Sequence, residues 1–312
     1  MIKAFLRLKQ KIESNRNSKN IFLESLIKIK DFFWESYIVF IYKIVYPIYL
    51  AIKLRGKGKL PDFLIIGVMK GGTSSLWEHL RQHPNIEMSP NFIENKKGWI
   101  NQKEIHFFDK EEKWRMGKRW YKKFFNKNKK LQGEVTPNYI LDPITHKRMK
   151  MIVPNAKLIL ILRDPITRAY SEFNHIRQVF PKSRYWAYLP QASFQENINK
   201  EIKKNFEQGI IKKGFYITQI QDLLRYYSKN QLLILISEEM KKNMQENYNK
   251  ICDFLKIKRF KFKFKQDIHK RKYQEPLKKQ EKEVLKKIYR PYNQRLFKFL
   301  GYEIKEWKSN SK

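Results

Sequence analysis

The chain has 312 residues, of which 42% are hydrophobic and 15% aromatic, so it can bury a sizeable core in one large domain or two modest ones, and wholesale disorder is excluded. Its 67 Lys and Arg against 30 Asp and Glu give a formal net charge of +37, which favours anionic partners, although we assign about half of the excess to solvated surface. The one cysteine, Cys252, excludes an intramolecular disulfide framework, and six His without ligand spacing exclude structural zinc.

Residues 1–58 differ from the rest, with 12 Lys and Arg and four acidic residues. Their apolar stretch, 32–54, is interrupted by three charged residues and contains Pro47, whereas a spanning helix needs about 20 mostly apolar residues. The stretch also begins late and lacks the cleavage site of a secretory signal. The pattern predicts a basic helical extension on an anionic membrane surface, and hence a cytoplasmic protein that is peripheral on a membrane. A helix pair packed on the main domain and a single spanning segment are the alternatives.

From Leu60 onward the pattern predicts one α/β domain over residues 60–305. Short, continuously apolar segments predict strands buried on both faces at 63–68, 157–162 and 231–236. Helices are predicted at 76–83, 168–179, 216–227 and 275–288, with Pro291 kinking or breaking the last and Gly301 capping a second helix. Phenylalanines alternating with lysines predict a final strand or ribbon with one apolar and one cationic face, at Phe260, Phe262 and Phe264. Strands that alternate with helices imply a mostly parallel sheet flanked by helices.

The turn after the first predicted strand reads Lys70-Gly71-Gly72-Thr73-Ser74 and leads into a helix. Glycines let backbone N–H groups approach a phosphate, and a helix N-terminus adds partial positive charge. The nucleotide-triphosphatase loop requires Lys after its second glycine, but here Thr73 stands at that position and the cation is Lys70. The turn therefore predicts phosphate binding and disfavours magnesium-dependent ATP chemistry. A glycine turn needed only for strand–helix packing is the alternative.

Two further clusters contain residues suited to chemistry. In Lys103-Glu104-Ile105-His106-Phe107-Phe108-Asp109, an extended backbone would place Glu104, His106 and Phe108 on one face, and a carboxylate beside an imidazole is a plausible general-base pair. A solvated Glu and a packed His are the alternative. After the 157–162 strand, Arg163 and Ser171 could clamp a second phosphate, because ligands of parallel sheets collect at the carboxyl edge.

The residues between that arginine and serine include a helix start. Asp164 is predicted to cap the following helix, with Pro165 at its first position. We assign Asp164 this structural role.

Five segments in this order resemble a known family: PDFLIIGVMKGGTSSL, KEIHFFD, GEVTPNY, LILILRDPITRAYSEF and YRPYNQRLFKFLG. Together they resemble a sulfotransferase that uses 3′-phosphoadenosine 5′-phosphosulfate, and the KEIHFFD block and KGGT loop look most like the carbohydrate sulfotransferases of heparan sulfate type. The resemblance covers roughly residues 61 to 301 and implies the sulfotransferase fold, which is like that of P-loop nucleotide triphosphatases.

The resemblance also implies roles for individual residues. Glu104 matches the catalytic base, Lys70 steadies the transferred group, and no metal is required. Seven residues match positions that bind the phosphosulfate donor in the family: Lys70, Gly71, Gly72, Thr73, Ser74, Arg163 and Ser171. Tyr216, Lys270 and Arg271 are further counterparts. The heparan-type pattern has a second catalytic lysine where this chain has Val135.

These observations lead to one function hypothesis and two alternatives. The first is sulfuryl transfer from 3′-phosphoadenosine 5′-phosphosulfate to a hydroxyl or amine of a glycan or glycolipid. The second is a phosphotransferase, which Thr73 argues against. The third is a non-enzymatic basic protein that binds membranes or polyanions. No zinc finger or basic zipper pattern is evident, so we expect no specific nucleic-acid partner.

Overall fold

The computed structural model describes residues 58–89, 103–128, 130–179, 192–264 and 275–308. The helical extension predicted over residues 1–58 lies, except for Gly58, outside the described residues, as do Lys270 and Arg271. The division of the chain into an extension and a domain therefore stays a prediction. No helix within the described ranges is long and apolar enough to cross a membrane.

The described strands and helices alternate along the chain. The strands are β1 (Phe63–Gly67), β2 (Ile86–Ser89), β3 (Leu131–Val135), β4 (Lys157–Leu162) and β5 (Leu232–Ile236). The helices are α1 (Thr73–Leu80), α2 (Glu111–Trp114), α3 (Gly117–Lys122), α4 (Pro143–Ile152), α5 (Pro165–Val179), α6 (Phe194–Lys203), α7 (Tyr216–Leu223), α8 (Ser237–Lys242), α9 (Met244–Leu255), α10 (Lys279–Leu300) and α11 (Lys305–Lys308). Short 3₁₀ turns lie at Pro137–Ile140, Lys212–Gly214 and Lys229–Gln231.

The five described strands form one sheet in the order β2-β3-β1-β4-β5, and every neighbouring pair is parallel. The mostly parallel sheet predicted from the sequence is therefore confirmed, and β1, β4 and β5 fall within the three predicted apolar segments. The sequence analysis missed β2, which has four residues, and β3, whose sequence LQGEV contains no continuous apolar run. Because all strands point the same way, their carboxyl ends share one edge of the sheet.

Two groups of buried side chains form the core of the described residues. One group packs α1 and α9 against the sheet and includes Phe63, Ile65 and Val135. The other joins α5, α6 and α10 and includes Phe173 and Tyr289. These contacts fix the starts of α1 and α5, the two helices that follow β1 and β4 directly.

The strand predicted at 260–264 and the second helix predicted after Pro291 are wrong. Residues 260–264 form no strand, although the three phenylalanines do share an apolar face and their rings lie against His79, His83 and Tyr248. Pro291 does not break the helix, because α10 continues through it to Leu300 and ends at Gly301, whose φ is +82°. The buried residues of α10 lie on both sides of the proline, so packing maintains the helix across it.

The proline inside α10 should lower the stability of the protein. Pro291 is exposed, and a proline in a helix interior lacks the N–H that would bond four residues back. We expect Pro291→Ala to raise the free energy of unfolding by roughly 1–3 kcal/mol, measured by urea denaturation. Gln294→Ala, at another exposed position of α10, serves as the control and should change stability by less than about 0.5 kcal/mol. An unchanged or lower stability in Pro291→Ala would contradict the helix as described.

Candidate functional site at the carboxyl edge of the sheet

The glycine turn connects the end of β1 to the start of α1. Gly72 has a φ of +109° and occupies the N-cap position of α1, where no side chain caps the first-turn N–H groups. Gly71 lies so close to β4 that an added Cβ would be 2.8 Å from the carbonyl oxygen of Ile161. The two glycines therefore permit a tight turn that leaves the N-terminus of α1 available to an anion.

Arg163 joins this turn to the end of β4. Its Nη1 donates to the carbonyl oxygen of Lys70 at 3.1 Å, and its Nε donates to Thr167 Oγ1 at 3.2 Å. The Arg163 carbonyl oxygen in turn accepts from the Tyr216 hydroxyl at 2.8 Å. The structure thus brings together three residues that the sequence analysis assigned to donor binding: Lys70, Arg163 and Tyr216.

The start of α5 has the predicted cap. Asp164 Oδ1 accepts from the backbone N–H of Thr167 at 2.7 Å, and Pro165 is the first residue of the helix, as predicted. Ser171 lies on α5, about two helical turns beyond Arg163 along the chain, and is buried. The cap fixes where α5 begins, and therefore where Ser171 lies along it.

The segment 104–109 is not the extended strand on which the one-face argument depended. Residues 103–106 have no regular secondary structure, residues 107–109 form a turn, and His106 has a φ of +56°. The predicted pair nevertheless forms, because His106 Nε2 lies 3.2 Å from Glu104 Oε2. His106 Nδ1 also lies 2.8 Å from Asp109 Oδ2, and Lys103 Nζ lies 3.2 Å from Glu104 Oε1. Phe108 is fully buried and does not share a face with the pair.

Opposite charges in this cluster shift both titrations. Burial alone would lower the pKa of His106, but its hydrogen bonds to Asp109 and Glu104 outweigh burial and raise that pKa to about 9. Burial alone would raise the pKa of Glu104, but the hydrogen bond from His106 and the charge of Lys103 lower it overall. At neutral pH Glu104 is therefore a carboxylate and His106 a cation. Only Glu104 is then in the protonation state of a base.

The turn and the segment 104–109 meet at the same edge of the sheet. The backbone N–H of Thr136, directly after β3, donates to the carbonyl oxygen of Ile65 at 3.0 Å, and Thr136 Oγ1 accepts from the N–H of His106 at 3.4 Å. On the other side, an added Cβ on Gly72 would lie 3.8 Å from Ser237 Oγ, directly after β5. The candidate site therefore spans the carboxyl ends of β3, β1, β4 and β5.

The sulfotransferase domain family matches residues 60–309. The chain belongs to this family.

Known sulfotransferases resemble the chain over most of the described domain. Heparan sulfate glucosamine 3-O-sulfotransferase 3A1 of Mus musculus is 28% identical over 209 residues, which are 66% of this chain and 48% of that protein. The chain thus spans about half the length of the curated relatives that it matches. The membrane-associated sulfotransferase kil1 of Dictyostelium discoideum is 39% identical over 120 residues, 37% of this chain and 23% of that protein.

A solved structure shares the fold. The sulfotransferase from Alicyclobacillus acidocaldarius is 22% identical, with a TM-score of 0.62, and the match covers 80% of this chain and 99% of that one. The resemblance to sulfotransferases and the fold class that it implied are therefore confirmed.

The sequence analysis assigned no role to Glu134 and Lys113, two residues whose side chains lie next to the segment 104–109. Glu134 is fully buried near the end of β3. Hydrogen bonds from Tyr121, Tyr139 and Thr136 lower its pKa, but burial outweighs them and raises the pKa to about 7. Lys113 Nζ donates to the carbonyl oxygen of Ile105 at 2.6 Å. The GEVTPNY block contains Glu134, but nothing in one sequence indicates that its side chain lies under KEIHFFD.

Three other observations describe what the candidate site contains. Val135 is fully buried in the core beside Ile65, so the position of the heparan-type lysine is apolar here. A cavity of about 510 Å³ lies between α5, α6 and α7, and its described lining residues include none of the predicted site residues. The described residues also contain no group of three or more His, Cys, Asp or Glu that could hold a metal ion.

The raised pKa of His106 predicts a pH-dependent contribution to stability. A raised folded-state pKa gives stability that is fully present below the ordinary value of 6.5 and is lost as pH rises toward about 9. We therefore expect the difference in free energy of unfolding between the wild type and His106→Gln to shrink steadily over this range. Urea denaturation at pH 6 to 10 measures it. A difference that stays constant with pH would show that the imidazole is not held as a cation.

Proposed function

We propose that the protein transfers the sulfuryl group of 3′-phosphoadenosine 5′-phosphosulfate to a hydroxyl or amine of a glycan acceptor. One observation carries the proposal: the hydrogen bond from Arg163 to the Lys70 carbonyl joins the glycine turn to the start of α5. The glycine turn and the start of α5 thus lie side by side, an arrangement that supports binding of a donor with phosphate at both its 3′ and 5′ positions. Family membership supports the same reaction.

The glycine turn is suited to the 5′ end of the donor. A Cβ at Gly71 would occupy the space against β4, and Gly72 leaves the first N–H groups of α1 uncapped by a side chain. In the proposed reaction these N–H groups, Thr73, Ser74 and the Lys70 ammonium bind the phosphosulfate and stabilise charge on the departing phosphate oxygen. Arg163 and Ser171 bind the 3′-phosphate, and Tyr216, Lys270 and Arg271 contribute further contacts to the donor in the proposal.

Glu104 is the proposed base. It takes the proton of the acceptor while that oxygen or nitrogen attacks sulfur in line with the leaving phosphate. Its lowered pKa keeps it ionised, and His106 holds its Oε2 from one side. His106, itself protonated, contributes through its charge and its hydrogen bond.

The acceptor is assigned only to a chemical class. The name of the mouse relative specifies heparan sulfate glucosamine, and the net charge of +37 would attract an acidic glycan. Val135, however, replaces the second catalytic lysine of the heparan-type pattern, so we propose a glycan or glycolipid without naming the position that is sulfated. A cytoplasmic location and contact between residues 1–58 and an anionic membrane remain parts of this proposal.

Ligand binding tests the donor site directly. We expect adenosine 3′,5′-bisphosphate to raise the melting temperature, since a ligand at about 100 times its Kd stabilises a protein by about 2.7 kcal/mol. ATP with magnesium should have a smaller effect. Arg163→Ala should abolish the bisphosphate response, whereas Arg225→Ala, on the exposed surface of the same domain, should retain it. A preference for ATP with magnesium would favour a phosphotransferase, and equal, salt-sensitive responses would indicate a cationic surface alone.

Sulfuryl transfer tests the proposed chemistry. Glu104→Gln and Lys70→Ala should each lower the rate of transfer by at least about a hundredfold, because each removes a group that acts in the transition state. The assay follows radiolabelled sulfur from donor to heparan sulfate or to a glycolipid. Glu112→Gln removes an exposed carboxylate from α2 and should keep the wild-type rate. Full activity in either site variant would remove the role assigned to that residue.

A further inference from the structure

The buried carboxyl group of Glu134, in the ionised form that it has above its pKa of about 7, accepts hydrogen bonds on both of its oxygens. Its Oε1 accepts from Thr136 Oγ1 at 2.9 Å and from the Tyr139 hydroxyl at 2.6 Å. Its Oε2 accepts from the Tyr121 hydroxyl. All four side chains are fully buried, so these hydrogen bonds form in a low-dielectric environment where lost partners are costly.

Two of these three hydroxyl groups make a second contact, and both contacts are with the backbone of the segment 104–109. Thr136 Oγ1 accepts from the N–H of His106 at 3.4 Å, and the Tyr139 hydroxyl accepts from the N–H of Phe107 at 2.9 Å. A hydroxyl group has one proton to donate and lone pairs that can accept. Because the Thr136 and Tyr139 hydroxyls each donate their proton to Glu134, each directs a lone pair at the backbone N–H. Glu134 thereby sets the direction of both hydroxyls.

A third contact extends this backbone support by one residue. Lys113 Nζ donates to the carbonyl oxygen of Ile105 at 2.6 Å. Backbone groups of three successive residues, 105, 106 and 107, are therefore each bonded to a side chain from outside the segment. These residues directly follow Glu104 and include its partner His106, whose positive φ of 56° needs such support.

We infer that Glu134 is a positioning residue that holds His106 against Glu104 through Thr136 and Tyr139. The inference rests on the role of Glu104 in the proposed function, but it assigns no contact between Glu134 and a substrate. No sequence motif points to this role. The connection passes through the hydroxyls of Thr136 and Tyr139 to backbone N–H groups about 30 residues earlier in the chain.

Tyr121 and Tyr139 provide a matched pair for the test. Both tyrosines are fully buried and both donate to Glu134, but only Tyr139 is also bonded to the segment 104–109. Tyr121 contacts that segment through its ring, which stacks on Phe107 with centroids 4.4 Å apart, and Tyr121→Phe keeps that ring. Each Tyr→Phe substitution removes one hydrogen bond to the same carboxylate, so a merely structural role for Glu134 predicts similar effects of both.

The measurement is the titration of His106 by NMR in protein labelled at its six histidines, with the His106 signal assigned from its loss in His106→Gln. The titratable groups next to His106 are Glu104 and Asp109. Those that interact with Glu134 are Asp109, Lys113 and the two tyrosines. In Tyr139→Phe we expect the His106 pKa to fall from about 9 toward its ordinary value of 6.5, because the Phe107 N–H loses its acceptor and the ion pairs loosen. In Tyr121→Phe the pKa should stay at the wild-type value.

Two further variants make the result decisive. Thr136→Val removes the other hydroxyl and should lower the same pKa, whereas Glu134→Gln keeps an oxygen that can accept from both hydroxyls and should largely preserve it. Equal titrations in the two Tyr→Phe variants, or an unshifted one in both Tyr139→Phe and Thr136→Val, would overturn the inference. Because this readout needs no acceptor, it tests the role of Glu134 in the same way even if transfer to glycans is not found.

Discussion

The hydrogen bond between the Arg163 guanidinium and the Lys70 carbonyl oxygen, 3.1 Å long, is the contact on which the candidate site depends. It connects loops that follow neighbouring strands β1 and β4, which pair in parallel with a shift in register between Ile65 and Gly67. A parallel sheet places the starts of α1 and α5 at one edge, but it does not by itself fix the separation of the loops that precede them. The arginine links the two loops, because its guanidinium group binds Lys70 and Thr167 at once, and the hydrogen bond from the Val68 N–H to the Ile161 carbonyl oxygen adds a backbone connection.

The fold could be predicted from the sequence wherever burial is continuous. The strands β1, β4 and β5 have uninterrupted apolar runs, and their alternation with helices was sufficient for the parallel sheet. The strand β3 was missed because its sequence, LQGEV, lacks the continuous apolar run of a buried strand. Its Glu134 is buried in a polar network that the sequence does not reveal. Pro291 was misjudged because local propensity indicated a break, whereas packing on both sides of the proline maintains α10.

The candidate site was predicted in part, and for a related reason. Residues adjacent in sequence to a glycine turn or a strand end, such as Lys70 and Arg163, could be found because topology alone brings them to one edge. The contact of His106 with Glu104 was anticipated from an extended backbone that does not exist, and it forms instead through a turn closed by Asp109. The support from Thr136 and Tyr139 depends on pairing between distant segments, which no local pattern in one sequence reveals.

The distribution of charge distinguishes the two halves of the proposed site. The base cluster, named for the role proposed for Glu104, contains two carboxylates, Glu104 and Asp109, and two cations, Lys103 and His106, so its charges balance at neutral pH. On the donor side the predicted residues, Lys70 and Arg163, are both cationic. With Val135 in the apolar core, the second lysine of the heparan-type pattern adds no charge between the halves. The base cluster therefore has little net attraction for an acidic sugar, and selection of an acidic acceptor would have to come from cations outside it. Charge of that kind is abundant in a chain with a net charge of +37.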